Sequence, residues 1–318
     1  AAATQAAATA YLIPISGVFF GWLIRDERLG TAELVGGVLV VAGVYLLARR
    51  LDNYGVVDVA WSYAFAVLAL FYAAAASGWP ARRWLLAAMV TLWSVRLGTH
   101  LFVRVAGHHP VEDARYAALR RDWNADFAFR MFRFFQYQAL SVVVLGVGFL
   151  ISARNPATGF HPLEIAGAAL WILAVAGEAV ADAQLAAFKR DPANRGRVCD
   201  RGLWGWSRHP NYFFEWLVWV AFFLFALPSP GGWSALIGPV VILYLLLRVT
   251  GVPLAEQQSL RSKGDAYRRY QESTSVFFPR PPRRPDTREK PNTVGKVKRK
   301  NESFFEFRQG KKKNKFAE

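Results

Sequence analysis

Cysteine is almost missing from this chain: Cys199 stands alone, so no intrachain disulfide can form and no cysteine metal cluster can be built. Histidine is scarce as well, at five residues, and the one adjacent pair, His108 and His109, precedes Pro110 without a third ligand at zinc spacing. A dinucleotide fingerprint is also lacking. Gly146 and Gly148 lie inside an apolar run, with no third glycine and no preceding strand. Acidic residues are few, with 23 Asp and Glu against 39 Lys and Arg and a net charge of +16. In a soluble chain that excess would suit nucleic acid. Here much of it flanks apolar runs, which points to membrane topology and away from specific nucleic-acid binding. The chain opens at AAATQAAATA without methionine or a recognisable cleavable signal peptide, and reads as the interior of something longer.

Apolar runs are abundant. They fall near residues 10–24, 33–48, 56–77, 84–104, 131–152, 164–186, 212–227 and 233–252, most of them close to the roughly 17–25 residues that cross a bilayer as a helix. The first and seventh are short. The expected fold is all-α: a polytopic membrane helical bundle of about seven to eight transmembrane helices. Lys189–Arg208 and the segment after Pro253 are rich in Lys and Arg, whereas Pro228–Gly232 carries no charge. The positive-inside rule then places both termini, the loop RVAGHHPVEDARYAALRRDWNAD and Arg49–Arg50 in the cytoplasm. Arg82 and Arg83 fall on the opposite side and run against the rule. The expected location is integral to a bacterial inner (cytoplasmic) membrane. Much of the load of twelve Trp reads as interfacial belt and helix packing.

Three blocks are expected. Residues 1–50 form a helical hairpin that resembles the last two helices of EamA-type drug/metabolite transporters, through the proline after the apolar start, the ERL turn and the GG…AGVYLL helix. Two helices of about ten cannot transport, so the hairpin reads as a remnant or fusion. Residues 51–282 hold nearly all the polar groups placed inside apolar runs. Residues 283–318 are basic and poor in apolar residues, as expected of a disordered tail able to attract anionic membrane lipids.

An ionisable side chain at membrane depth costs several kcal/mol unless it is paired, hydrated or lining a cavity. Asp58, Arg96, His100, Glu178, Asp182 and Arg248 all sit inside apolar runs. Arg96 and His100 are four apart, as are Glu178 and Asp182, so each pair shares a helical face. Each alone could simply pair with a neighbouring helix; together they suggest one polar pocket near the cytoplasmic ends. Arg130 and Arg133 read as snorkelling cations. Gln136 and Gln138 could bond a ligand or a neighbouring helix. Lys189, Arg190, Arg195, Arg197, Arg201 and Arg208 crowd one loop with Asn194 and Asn211, and such a set suits phosphates.

Taken in order, VDVAW, LWSVRLGTHLFVR, EDARY, GLWGWSRHPNYFFEW and GDAYRRYQESTSVFFPRPP resemble the DUF1295 family, which belongs with the steroid 5-alpha-reductase C-terminal superfamily, over about residues 53–282. The resemblance implies an NADPH-binding cavity open to the cytoplasm, and reduction of a carbon–carbon double bond conjugated to a carbonyl in a lipid-soluble, steroid-like substrate. By position it assigns Asp182, Lys189, Asn211, Glu215 and Arg248 to the cofactor, with Arg96 and His100 beside them. Glu178 joins this set, although the steroid enzymes have a neutral amide there, and Val252 stands where they have a histidine. Arg197, Arg208, His209 and Tyr212 of the basic loop complete it. For the proton donor, Asp58 is the nearest acid. The tyrosine position falls on Trp93, which leaves Tyr54 or Tyr63 as the phenol. The RHPNY motif is shared with isoprenylcysteine and phospholipid methyltransferases. An alternative is therefore an S-adenosylmethionine-dependent membrane methyltransferase that uses Glu256 and GDAYRRY as well. A second alternative is a non-catalytic membrane protein or transporter fragment.

Overall fold

The computed structural model describes residues 31–283, with side chains from residue 41 onward. The apolar run near 10–24, and with it the first half of the transporter-like hairpin, lies outside the described residues, as does the tail from residue 284. All regular structure among the described residues is helical. In chain order the α-helices are α1 (Thr31–Arg50), α2 (Val56–Ala75), α3 (Pro80–His108), α4 (Ala114–Trp123), α5 (Phe127–Leu145), α6 (Val147–Arg154), α7 (Pro162–Arg190), α8 (Pro210–Ala226), α9 (Ile237–Tyr244), α10 (Val252–Lys263) and α11 (Asp265–Ser273).

Proline sets the start of three long helices. Pro80, Pro162 and Pro210 occupy the first turns of α3, α7 and α8, where the missing amide proton would have no helical partner anyway. At α7 the His161 ring accepts from the Leu163 amide, while Glu164 accepts from the His161 amide in return. The run near 131–152 divides at Gly146 into α5 and α6, and the run near 233–252 ends in a π-helical turn at Leu245–Val249.

Five helical stretches are long and apolar enough to cross a membrane: Val56–Ala75, Pro80–His108, Arg115–Arg154, Pro162–Arg190 and Gly232–Lys263. Pro210–Ala226 is a shorter apolar helix beside them. Val67, Phe71, Leu92, Val103, Ile172 and Leu173 point outward and are exposed. A continuous apolar exterior of this kind is solvated by lipid tails, as in an integral membrane protein.

Two helix pairs form the frame, α2 along α3 and α7 along α8. Small residues allow both. A Cβ on Gly167 would lie 2.9 Å from the Ala221 carbonyl oxygen and the Phe225 amide nitrogen, so α7 and α8 touch backbone to backbone there. Between α2 and α3 the buried Ser94 hydroxyl donates to the Ser62 carbonyl (2.5 Å) and accepts from the Ala66 amide (3.1 Å). It satisfies both ends of one turn of the neighbouring helix. Phe65, Trp93, Phe149, Trp219 and Phe222 fill the space between the pairs. Replacing Gly167 by leucine forces α7 and α8 apart and is expected to cost about 1–3 kcal/mol by overpacking, read as a lower thermal unfolding midpoint in detergent.

Two ion pairs tie α3 to α7 at different depths. Arg82 binds Glu164, and Arg96 binds Glu178 at 2.7 Å. Both pairs span the same sequence separation, so the two helices run parallel in one register. Fourteen residues separate the pairs on each helix, about 21 Å of rise. Arg82 and Glu164 are 2% and 0% exposed. Arg82 also donates to the carbonyls of Asn155, Ala157 and Gly159. This explains why Arg82 runs against the positive-inside pattern: its charge is consumed inside the protein and does not count as a loop charge.

Candidate functional site

The second ion pair lies toward the end of the bundle that carries the basic loops, called here the basic end. Arg96 reaches Glu178 with Nη1 at 2.7 Å and Asp182 with Nη2 at 2.8 Å. The i, i+4 spacing on α7 brings both carboxylates to one guanidinium. Asn211, in the first turn of α8, donates to Asp182 at 3.3 Å. One turn deeper, Glu215 accepts from the indole N–H groups of Trp93 (2.9 Å) and Trp219 (3.0 Å), and lies within electrostatic reach of Arg96. Five of the residues singled out by sequence thus form one group: Arg96, Glu178, Asp182, Asn211 and Glu215. The aromatic core floors it, and its exposure falls with depth, from 19% at the Asp182 side chain to 6% at Glu178.

Asp58 enters a second group, from α2. Its Oδ2 accepts from Arg115 at 2.7 Å and its Oδ1 from the Tyr116 hydroxyl at 2.8 Å. Arg115 also binds Asp113, which caps α4 by accepting from the Arg115 amide. Burial opposes ionisation of Asp113, but the hydrogen bond and charge of Arg115, with Arg104 beyond, hold its carboxyl below the usual range. The phenol that meets Asp58 is therefore Tyr116. Tyr54 is buried among Tyr45, Phe127 and Phe135, and the Tyr63 hydroxyl bonds Thr99 at 2.9 Å. Tyr212 links the two groups, lying within electrostatic reach of Arg115 and of Asp182.

The third group is a clamp. Arg208 donates to Glu256 (2.7 Å) and to the carbonyls of Gln271 and Thr274. Gln271 donates to the other Glu256 oxygen at 2.9 Å, and the His209 ring lies 3.4 Å from Glu256 while stacking on Tyr212. Tyr270 donates to the Trp204 carbonyl and Ser207 to that of Phe277. RHPNY and GDAYRRY, far apart in sequence, hold each other as one cap over the basic end.

The remaining cations stay free. Lys189, Arg197 and Arg248 are exposed and their side chains make no hydrogen bond or ion pair among the described residues, and the same holds for the side chains of Arg195, Arg201 and His100. Lys189 follows Asp182 by seven residues on α7, two turns along the same face. Asn194 instead spends its amide on the Phe188 carbonyl and Asp191. The buried Nε2 of Gln136 has no hydrogen-bond partner among the described residues, which keeps Gln136 available to a ligand.

Sequence reasoning missed Arg115, Tyr116, Trp93 and Trp219 as partners of the acids. Tyr116 had a signal, since it closes the EDARY motif. The indoles had none, because a tryptophan that donates to a carboxylate looks in sequence like any other core aromatic.

Fold and site together define a helical membrane protein with an ion-paired polar group sunk among its helices. The chain belongs to the family described as "Protein of unknown function (DUF1295)", which matches residues 44–274. An uncharacterized protein of Schizosaccharomyces pombe is 28% identical over 322 aligned residues, covering 88% of this chain and 90% of that protein. No solved structure matches the chain.

Proposed function

We propose that the protein is a membrane-embedded, NADPH-dependent reductase of a carbon–carbon double bond conjugated to a carbonyl, acting on a lipid-soluble, steroid-like substrate at a cavity that opens to the cytoplasm. The observation that carries this reading is the graded polarity of the basic end. Lys189, exposed and unpaired, lies two turns beyond Asp182 on α7, a hydrogen-bonding acidic group lies deeper, and an aromatic floor lies beneath. The donor set fits a dinucleotide: exposed Lys189, Arg197 and Arg248 suit its phosphates, while Asp182, Asn211 and Glu215 offer the mixed acceptors and donors that sugar hydroxyls and a carboxamide need. Bound there, such a cofactor supplies a hydride to the substrate's β carbon.

What the chain itself provides is position and a proton. Arg96 holds Glu178 and Asp182 in fixed places, and the aromatic floor excludes water. Negative charge that grows on the substrate carbonyl needs a donor in a water-poor site. Tyr116, 2% exposed as a residue, gives its one hydroxyl proton to Asp58, and turning that O–H from the Asp58 carboxylate to the substrate oxygen makes it such a donor. Tyr116→Phe is expected to lower turnover by roughly 10²-fold or more, the usual scale for a lost general acid, with NADPH affinity within about twofold of wild type. With NADPH deuterated at the transferred position and a hydrophobic enone, deuterium should arrive on the β carbon. An enone returned unreduced at saturating NADPH would refute the reading.

The methyltransferase alternative loses support from Glu256. Its Oε1 is held by Arg208 and His209 and its Oε2 accepts from Gln271, so this acid ties RHPNY to the last helices and does not stand open as a dedicated site for a methyl donor.

A further inference from the structure

We infer that Tyr212 is a second catalytic residue of the proposed reduction: its hydroxyl, together with Nη1 of Arg115, holds the substrate carbonyl oxygen while negative charge grows there. This deepens the reductase reading and rests on it.

Tyr212 stands in the gap between the two polar groups. It follows Asn211, which donates to Asp182 at 3.3 Å, in the first turn of α8. The charged groups within electrostatic reach of it are Arg115, Arg104 and Asp113 on one side and Asp182 on the other. A substrate that takes a hydride from a cofactor held beside Asp182 and Asn211, and a proton from the Tyr116 and Asp58 group, must lie between the two groups. Tyr212 is the phenol in reach of both. Its hydroxyl is also unspent: it makes no hydrogen bond among the described residues and, unlike the Gln136 amide nitrogen, it is not sealed inside the protein. Arg115 offers the second donor. Its Nε and Nη2 are taken by Asp113 and Asp58, whereas Nη1 donates to no partner among the described residues, and the side chain is 30% exposed. Two unspent donors, one of them charged, on either side of the proton source are what an oxygen that gains negative charge requires.

The cap holds this phenol in place. The Tyr212 ring lies flat on the His209 imidazole, with centroids 5.4 Å apart and planes 6° apart, and the buried His209 reaches Glu256 at 3.4 Å. A ring held this way loses little freedom when substrate arrives, and a donor already in position needs no reorganisation as the charge develops. The clamp between RHPNY and the last helices thereby gains a task at the site. As the β carbon takes the hydride with its electron pair, the electrons of the double bond move toward the carbonyl and leave an enolate. Tyr212 and Arg115 donate hydrogen bonds to its oxygen and keep their own protons. The proton that completes the enol comes from Tyr116, whose oxygen is left ionised with the Arg115 guanidinium 5.5 Å from its ring.

The test is Tyr212→Phe, made in the full chain and purified in detergent, with NADPH and a cyclohexenone bearing a long alkyl chain as substrates. Phenylalanine keeps the ring that stacks on His209 and removes only the hydroxyl. Turnover at saturating NADPH is expected to fall by roughly 10²-fold, the usual scale for a lost oxyanion donor, with NADPH affinity within about twofold of wild type. Turnover within about twofold of wild type would overturn the inference and leave the reductase reading standing. So would a variant that binds NADPH more weakly yet turns over normally once saturated, because Tyr212 would then serve the cofactor. A wild-type protein that leaves the enone unreduced would overturn both. A second measurement needs no folded variant: an alkylated nitrophenol, whose ionised oxygen imitates the enolate, should bind the wild-type protein at least about tenfold more tightly than its methyl ether, and equal binding of the two would overturn the inference.

Discussion

Replacement of Arg96 by methionine is expected to destabilise the protein by about 3–5 kcal/mol and to abolish measurable NADPH binding. Removing one partner of a buried ion pair leaves the other as an uncompensated charge, and the cost is on that scale. Here the loss strands two carboxylates together, since Glu178 and Asp182 are both held by this guanidinium. Like charges one turn apart on α7 then repel, and Glu215 one helix away adds to the repulsion. Protonation of one acid relieves part of the cost but removes the site's charge pattern. A lysine at position 96 restores a single charge without the planar fork that reaches both acids, so Arg96→Lys should recover stability more than it recovers affinity. Thermal unfolding and NADPH titration of the same preparations separate the two effects.

Arg82→Met is expected to destabilise by a similar amount, about 3–5 kcal/mol, with no change in NADPH affinity of the protein that remains folded. Arg82 and Glu164 are more deeply buried than the Arg96 group, and Arg82 carries three loop carbonyls in addition to the acid. Those carbonyls belong to the connection between α6 and α7, so the substitution loosens both the start of α7 and that loop. The site lies about 21 Å away along α3 and keeps its own ion pairs. Replacing both residues together, by methionine and glutamine, should cost less than the sum of the single changes, because neither charge is then stranded. Parallel loss of stability and affinity in Arg82→Met would mean that the two ends of the bundle are coupled in a way the two separate ion pairs do not describe.

Much of the site was legible because membrane burial makes charge conspicuous. Asp58, Arg96, Glu178 and Asp182 stand out from apolar neighbours, and the four-residue spacing on α7 puts its two acids on one face before any partner is known. The helical class and the long apolar stretches follow from the same contrast. Partnership was less legible. Asp58 takes its phenol from Tyr116, on a short helix beyond the next long one, and nothing within reach of Asp58 in sequence points there; Tyr54 and Tyr63 are nearer in the chain yet turned elsewhere. Arg208 and His209 carry chemistry-rich names in a chemistry-rich motif, and the fold spends them on Glu256. Helix boundaries suffered similarly. An apolar run says nothing of where Gly146 divides α5 from α6, or of the π-helical turn that ends the run near Tyr244, because hydropathy carries no information about backbone hydrogen bonding.

The central claim is that graded polarity at the basic end is a dinucleotide site. Equilibrium titration of the purified protein with NADPH and, separately, with S-adenosylmethionine tests it most directly. The account predicts saturable binding of NADPH, one per chain, weakened roughly tenfold or more when Lys189 and Arg197 are both replaced by glutamine, since a neutral amide cannot supply the charge-assisted hydrogen bond that each cation gives a phosphate. Saturable binding of S-adenosylmethionine with none of NADPH would contradict it.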